Sequence, residues 1–210
     1  MGKAVLVVLV VVLGVLLLLG MAGIGTYNHL VSLSQAVDAQ WAQVENVYQR
    51  RADLVPNLVA TVQGSANFEK STLEAVTAAR ASVGKVQLNG SELVNDPAAF
   101  ARWQQAQAGL SSALSRLLVV AENYPDLKSS ANFRDLQAQL EGTENRIAVE
   151  RMRFNEKAQD YNTARLRFPA NLVAGIAGFR EKAYFKAEAG AEKPPQVKFD
   201  FSAPSPAPAQ

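Results

Sequence analysis

Residues Ala4 to Ile24 form an unbroken apolar run with no charged residue and no proline. About 21 residues at ~1.5 Å each reach about 31 Å, the thickness of the hydrocarbon core of a bilayer. In hydrocarbon only a helix satisfies its own backbone groups, so the run is expected to be helical despite its many valines. A cleaved secretory signal is the competing possibility, with Gly20 and Ala22 as the small residues at a cleavage site. The apolar core exceeds the ~7–15 residues of such signals, and we read it as an uncleaved anchor. With no cysteine in the chain it is not a lipoprotein signal. Lys3 and the amino terminus precede the run, whereas no lysine or arginine follows until Arg50. That bias expects the N-terminus in the cytoplasm and the remainder in the periplasm or outside the cell.

The rest of the 210 residues suffices for one domain and a tail. A balance of 21 basic against 19 acidic residues leaves a charge of +2. Coating many phosphates needs a concentrated basic surface, so nucleic acid is not expected as a partner. Without cysteine there is no disulfide or thiol chemistry, and a single histidine, His29, removes histidine-rich metal centres and most triads. No metal or cofactor is expected. His29, beside Tyr27 just past the anchor, is read as an interfacial residue rather than a pH sensor.

Beyond the anchor the apolar residues recur at steps of three and four. Leu30, Leu33, Val37, Trp41, Val44, Tyr48, Val55, Leu58 and Val62 share one face of a helix from about Tyr27 to Ala66. Pro56 lies inside it, and a kink is expected near Arg51 to Val55. A second helix is expected over about Phe68 to Val86. Asn95-Asp96-Pro97 then reads as a cap with proline at the first turn of a third helix, reaching about Asn123. Tyr124-Pro125 ends that helix. A fourth is expected from about Ser129 to Phe168, with Phe133, Leu140, Ile147, Phe154, Tyr161 and Phe168 seven apart along one seam. The fold class is all-α: a transmembrane helix continuing into an antiparallel four-helix bundle. Its parts are an anchor at 1–25, a bundle at 26–186, and a proline- and alanine-rich tail at 187–210 expected to be disordered.

Several segments together resemble the LemA family of bacterial membrane proteins. They are Tyr27-Asn28-His29-Leu30-Val31, then Arg50-Arg51-Ala52-Asp53-Leu54-Val55-Pro56-Asn57-Leu58-Val59, then Tyr124-Pro125-Asp126-Leu127-Lys128 and Phe133-Arg134-Asp135-Leu136-Gln137. Leu140-Glu141-Gly142-Thr143-Glu144-Asn145-Arg146-Ile147, Phe154-Asn155 and Tyr161-Asn162 complete them. The resemblance implies a single-pass protein of the bacterial inner membrane carrying a helical bundle. It implies no chemistry for any residue.

Two polar groups stand out. Arg50, Arg51 and Asp53 adjoin Pro56-Asn57, as either a partner site or a structural polar layer that serves the carbonyl freed by the proline. Glu141, Glu144 and Asn145 form the densest polar stretch of the fourth helix. Two carboxylates three apart share a face and could act as acid and base, but interhelix bonding is the commoner use. Counting helical rise from the membrane places the two groups at one height, within about a turn or two. At the other end, Pro169 stops the fourth helix and is followed by a nearly apolar segment, Ala170 to Phe179. Leu172 and Phe179, with Tyr27, are candidates for a membrane interface; the alternative is that they cap the bundle's open end.

The function expected from these features is non-enzymatic: a membrane-anchored interaction or scaffold protein of the cell envelope. Its partners would be the lipid bilayer, an unidentified membrane or envelope protein, or further copies of itself as a homo-oligomer. Ligand sensing through a partner membrane protein is the alternative.

Overall fold

A computed structural model describes residues 2–65, 68–85 and 90–186, and all regular structure among them is helical. The elements are α1 (Gly2–Gln63), α2 (Lys70–Lys85), α3 (Gly90–Val94), α4 (Pro97–Ala121), α5 (Pro125–Ser129), α6 (Ala131–Leu166) and α7 (Ala170–Ala177). The expected tail from Ala187 lies outside the described residues.

Anchor and first bundle helix are one element. α1 runs 62 residues without a break at Gly25, its apolar first part exposed along its length. From Leu30 onward its buried positions follow the three-and-four step, and Arg51 joins them. Pro56 does not end the helix. A proline removes the N–H that would bond the carbonyl four residues back, here Ala52. The guanidinium of Arg80 on α2 serves that carbonyl instead, with Nε donating at 3.2 Å. Sequence reasoning looked to Arg51 or Asn57 for this task. Arg51 is engaged elsewhere, and the Asn57 side chain points outward. Replacing Pro56 by alanine should therefore stabilise the fold by about 1 kcal/mol, a fraction of the ~3 kcal/mol penalty of interior proline because Arg80 already serves the carbonyl. Arg80→Ala should lower the thermal midpoint in the native background and leave it unchanged once Pro56 is alanine; equal losses in both backgrounds would refute the link.

α4 begins as its sequence dictates. The Asp96 carboxylate accepts from the N–H groups of Ala98 and Ala99 at 2.9 and 3.0 Å, with Pro97 in the first turn. The Ala99 N–H foremost holds that carboxyl below the usual carboxylate range, against a smaller opposing effect of burial. The short α5 follows Tyr124-Pro125, and Ser130 caps α6 by accepting from the Phe133 N–H. Along α6 the seam from Phe133 to Tyr161 is buried, but the helix ends at Leu166. Phe168, expected to continue the seam, is 81 % exposed.

Trp41 of α1 lies 5.4 Å from Phe154 of α6, and Arg51 reaches Glu144, so the two helices run antiparallel. α2 lies along α4. The apolar interior forms two clusters. The one nearer the anchor gathers Val37, Trp41, Tyr48, Phe100, Trp103, Phe154 and Phe185. The farther one holds Val55, Leu58, Leu110, Leu117, Phe133 and Leu140. α3 closes the first cluster by laying its backbone on Trp41. A Cβ at Gly90 would stand 2.6 Å from the indole, so only glycine fits there.

The chain then does something the helical periodicity does not announce. α7 closes on Gly178 in the left-handed region, φ 74°. Residues 179–186 follow as a non-helical strap along the bundle, entered by Phe179, whose ring packs 5.5 Å from that of Tyr27.

Candidate functional site

Arg51, Gln107 and Thr143, one from each of α1, α4 and α6, are buried at the level between the two apolar clusters. Arg51 is 1 % exposed. One terminal nitrogen donates to Ser111 Oγ at 2.6 Å and to Glu144 Oε1 at 2.9 Å. The other donates to the side-chain and backbone oxygens of Gln107. Its guanidinium also lies over the Tyr48 ring, 4.9 Å from the centroid. A buried charge needs acceptors, and both terminal nitrogens have them, whereas the buried Nε has no partner. The outcome is a polar layer in which α1 is tied to α4 and α6 at one register.

Of the residues singled out from sequence, the structure brings Arg51 and Glu144 together. Arg50 and Asn57 are exposed. Asp53 is exposed and accepts from Gln49, and Glu141 accepts from Gln137 on the outer face of its own helix. Glu141 and Asn145 line, with Glu144 and Ser111, a shallow groove between α4 and α6. Glu144 is committed to Arg51, so the two carboxylates do not face each other as an acid and base. Gln107 and Ser111 went unnoticed in sequence because each is one of three glutamines or three serines on α4, and nothing in their spacing marks it out.

A second buried charge lies nearer the anchor. Lys182 of the strap is 2 % exposed, and its Nζ donates to Asp38 of α1 at 2.8 Å. From the sequence, the cations and aromatics that follow Phe179 suit either a lipid interface or the cap of the bundle's open end; Lys182 and Phe185 are interior. α6 supplies the reason. The Asn162 amide pairs with both the N–H and the carbonyl of Lys182, each at 2.9 Å. Seven residues earlier Asn155 does the same to Phe185, at 3.0 and 2.9 Å. Tyr161 donates its hydroxyl to the Arg180 carbonyl, and burial pushes its phenol pKa up. Asn155 and Asn162 each directly follow a seam aromatic, the one signal in sequence that could have revealed the strap.

These elements can hold helices and an extended segment in register; among the described residues no cluster of three or more histidine, aspartate or glutamate side chains could hold a metal ion.

A family model described as "LemA family" matches residues 40–199 of the chain. Curated proteins similar to it include magnetosome protein MamQ of Magnetospirillum gryphiswaldense, 29 % identical over 81 % of this chain and 70 % of that protein. Magnetosome protein MamQ 2 of Paramagnetospirillum magneticum is 29 % identical over 80 % of this chain and 67 % of its own length. Protein LemA of Metamycoplasma hominis is 21 % identical over 78 % of this chain and 70 % of its own.

Proposed function

The chain belongs to the LemA family, and from that premise we propose that it is a non-enzymatic scaffold of the cell envelope, anchored by the N-terminal part of α1 and binding a membrane or envelope protein through its outer helix faces. The observation that carries this is where the buried charges go. The Arg51 guanidinium ends on Glu144, Ser111 and Gln107, and the Lys182 ammonium on Asp38, so both buried charges bind the protein to itself. What remains for other molecules is the outer surface of the helices, above an apolar helix that meets the length and composition of a membrane span. Two of the relatives carry the magnetosome in their names and one does not. We take the helical bundle, within which the family match falls, as their shared part and leave the magnetosome with those proteins.

The test is a photo-crosslinker placed at exposed positions such as Glu141 and Asn145 in the full chain in its native membrane. Discrete adducts with one partner, or with a second copy, are expected. Absence of any adduct above background, together with a melting temperature raised by a small molecule, would overturn the scaffold in favour of a ligand sensor.

Sidedness has its own experiment. The bundle is placed outside the cytoplasm on the strength of Lys3 and the stretch Gly25 to Gln49, which holds no lysine or arginine. Alkaline phosphatase fused after Ala187 should be active, because it matures only outside the cytoplasm. A silent phosphatase beside an active cytoplasmic reporter at the same point would reverse the orientation.

A further inference from the structure

At the end of the bundle nearest the anchor, a set of apolar side chains is turned away from the protein. Leu166 is 66 % exposed, Phe168 81 %, Leu172 58 % and Ile176 90 %. Their position is fixed by register. Trp41 of α1 packs on Phe154 of α6 in an antiparallel pair. Fourteen residues back along α1 is Tyr27, and fourteen on from Phe154 is Phe168, so the two stand at one level. Tyr27 is three residues past Ile24, where the apolar run ends, less than a turn of helix away. α7 packs against α1 as well as α6, and Phe179 beyond it rests on Tyr27. The exposed apolar corner therefore stands beside the point where α1 enters the bilayer.

Within α7 the split is by face. Ala174 is buried and Val173 half-buried, while Leu172 and Ile176, four apart, point out together. From the sequence, Tyr27, Leu172 and Phe179 are candidates for the interface, with a cap on the bundle's open end as the alternative. Phe179 is instead turned inward between the Tyr27 and Tyr161 rings, and Ile176, Phe168 and Leu166 take its place. Such apolar groups against water would be unfavourable, whereas a surface helix with one apolar face suits the boundary between headgroups and acyl chains. Arg167, exposed in the same corner, is placed to meet phosphate headgroups.

We propose that α7 and the Leu166–Phe168 corner lie in the headgroup–acyl boundary of the bilayer that α1 spans, giving the bundle a second foothold on lipid. The proposal rests on the anchor, and its test separates the two. The chain has no cysteine, so single cysteines can be introduced into the full-length protein and labelled with an environment-sensitive fluorophore. The sites are Leu16→Cys in the span, Ile176→Cys on α7 and Asp126→Cys at the far end. The protein is reconstituted in phosphatidylethanolamine–phosphatidylglycerol vesicles carrying spin-labelled acyl chains. Emission should be lost at positions 16 and 176 and retained at 126. Loss at 16 with full emission at 176 would overturn the foothold and leave the anchor. Loss at 176 without loss at 16 would sustain the lipid contact and sink the anchor, and emission retained at both would sink both. Exposure of Ile176 makes misfolding of that variant unexpected, and unchanged circular dichroism would verify it.

Discussion

Glu144→Ala should destabilise the fold by about 3 kcal/mol, more than Arg51→Met, although Glu144 is the more exposed partner. Removing the carboxylate leaves a guanidinium that is 1 % exposed without its counter-charge. Breaking a buried pair from one side costs ~3–5 kcal/mol, and the low end applies because the Glu144 side chain is 39 % exposed and water reaches it. Arg51→Met removes the charge itself and fills much of its volume. Glu144 then turns to solvent, and the remaining loss is the donor to the buried Gln107 amide, about 1–2 kcal/mol. Introduced into Arg51→Met, Glu144→Ala should be within about 0.5 kcal/mol of neutral, as for an ordinary surface change. Denaturant unfolding of the four variants closes the cycle. Strictly additive losses would mean that the polar layer does not couple the helices.

Phe185→Ala should be comparably severe, about 3–5 kcal/mol, despite lying outside every helix. Its ring is buried among Trp41, Phe100, Trp103 and Phe154, with centroids 4.9–6.1 Å away, and the Arg151 guanidinium lies 4.8 Å from its centre. The adjacent Tyr184 is only half-buried, so Tyr184→Ala should lose about 1 kcal/mol. Near-ultraviolet dichroism, which reports tryptophan packing, should collapse for the first variant and persist for the second. Equal, small effects of both would show the strap to be an ornament on a bundle that stands without it.

Fold class was legible because it rests on repetition. The run from Ala4 to Ile24, the stepped face from Leu30 to Val62 and the seven-residue seam of α6 each state one thing many times. Boundaries carried by side-chain chemistry were legible too, as with Asp96-Pro97 at the start of α4. The strap was not, since eight residues without helical period offer no internal pattern. Its place is set by Asn155 and Asn162, whose paired donors and acceptors read backbone rather than sequence. The candidate site was half legible. Counting rise along two helices puts the Arg50–Asp53 group near Glu144, and a spacing of three residues from Tyr48 and four from Val55 separates Arg51, which turns inward, from Arg50, which does not. The difference is a rotation of ~100° about the helix axis, and the buried face defined by Tyr48 and Val55 selects Arg51.

Continuity of α1 has a mechanical consequence. With no linker between span and bundle, the chain is a lever whose fulcrum lies in the bilayer. The arm beyond Gly25, to the end of α1 at Gln63, is 38 residues, ~57 Å at ~1.5 Å per residue. A tilt of about 20°, ordinary for membrane helices, would carry its tip about 20 Å sideways. A small mismatch between span length and membrane thickness thus becomes a large displacement at the α1–α2 end. Rotation of the span about its own axis would turn the whole bundle by the same angle, so whatever grips α1 inside the membrane also chooses which flank of the bundle its neighbours meet.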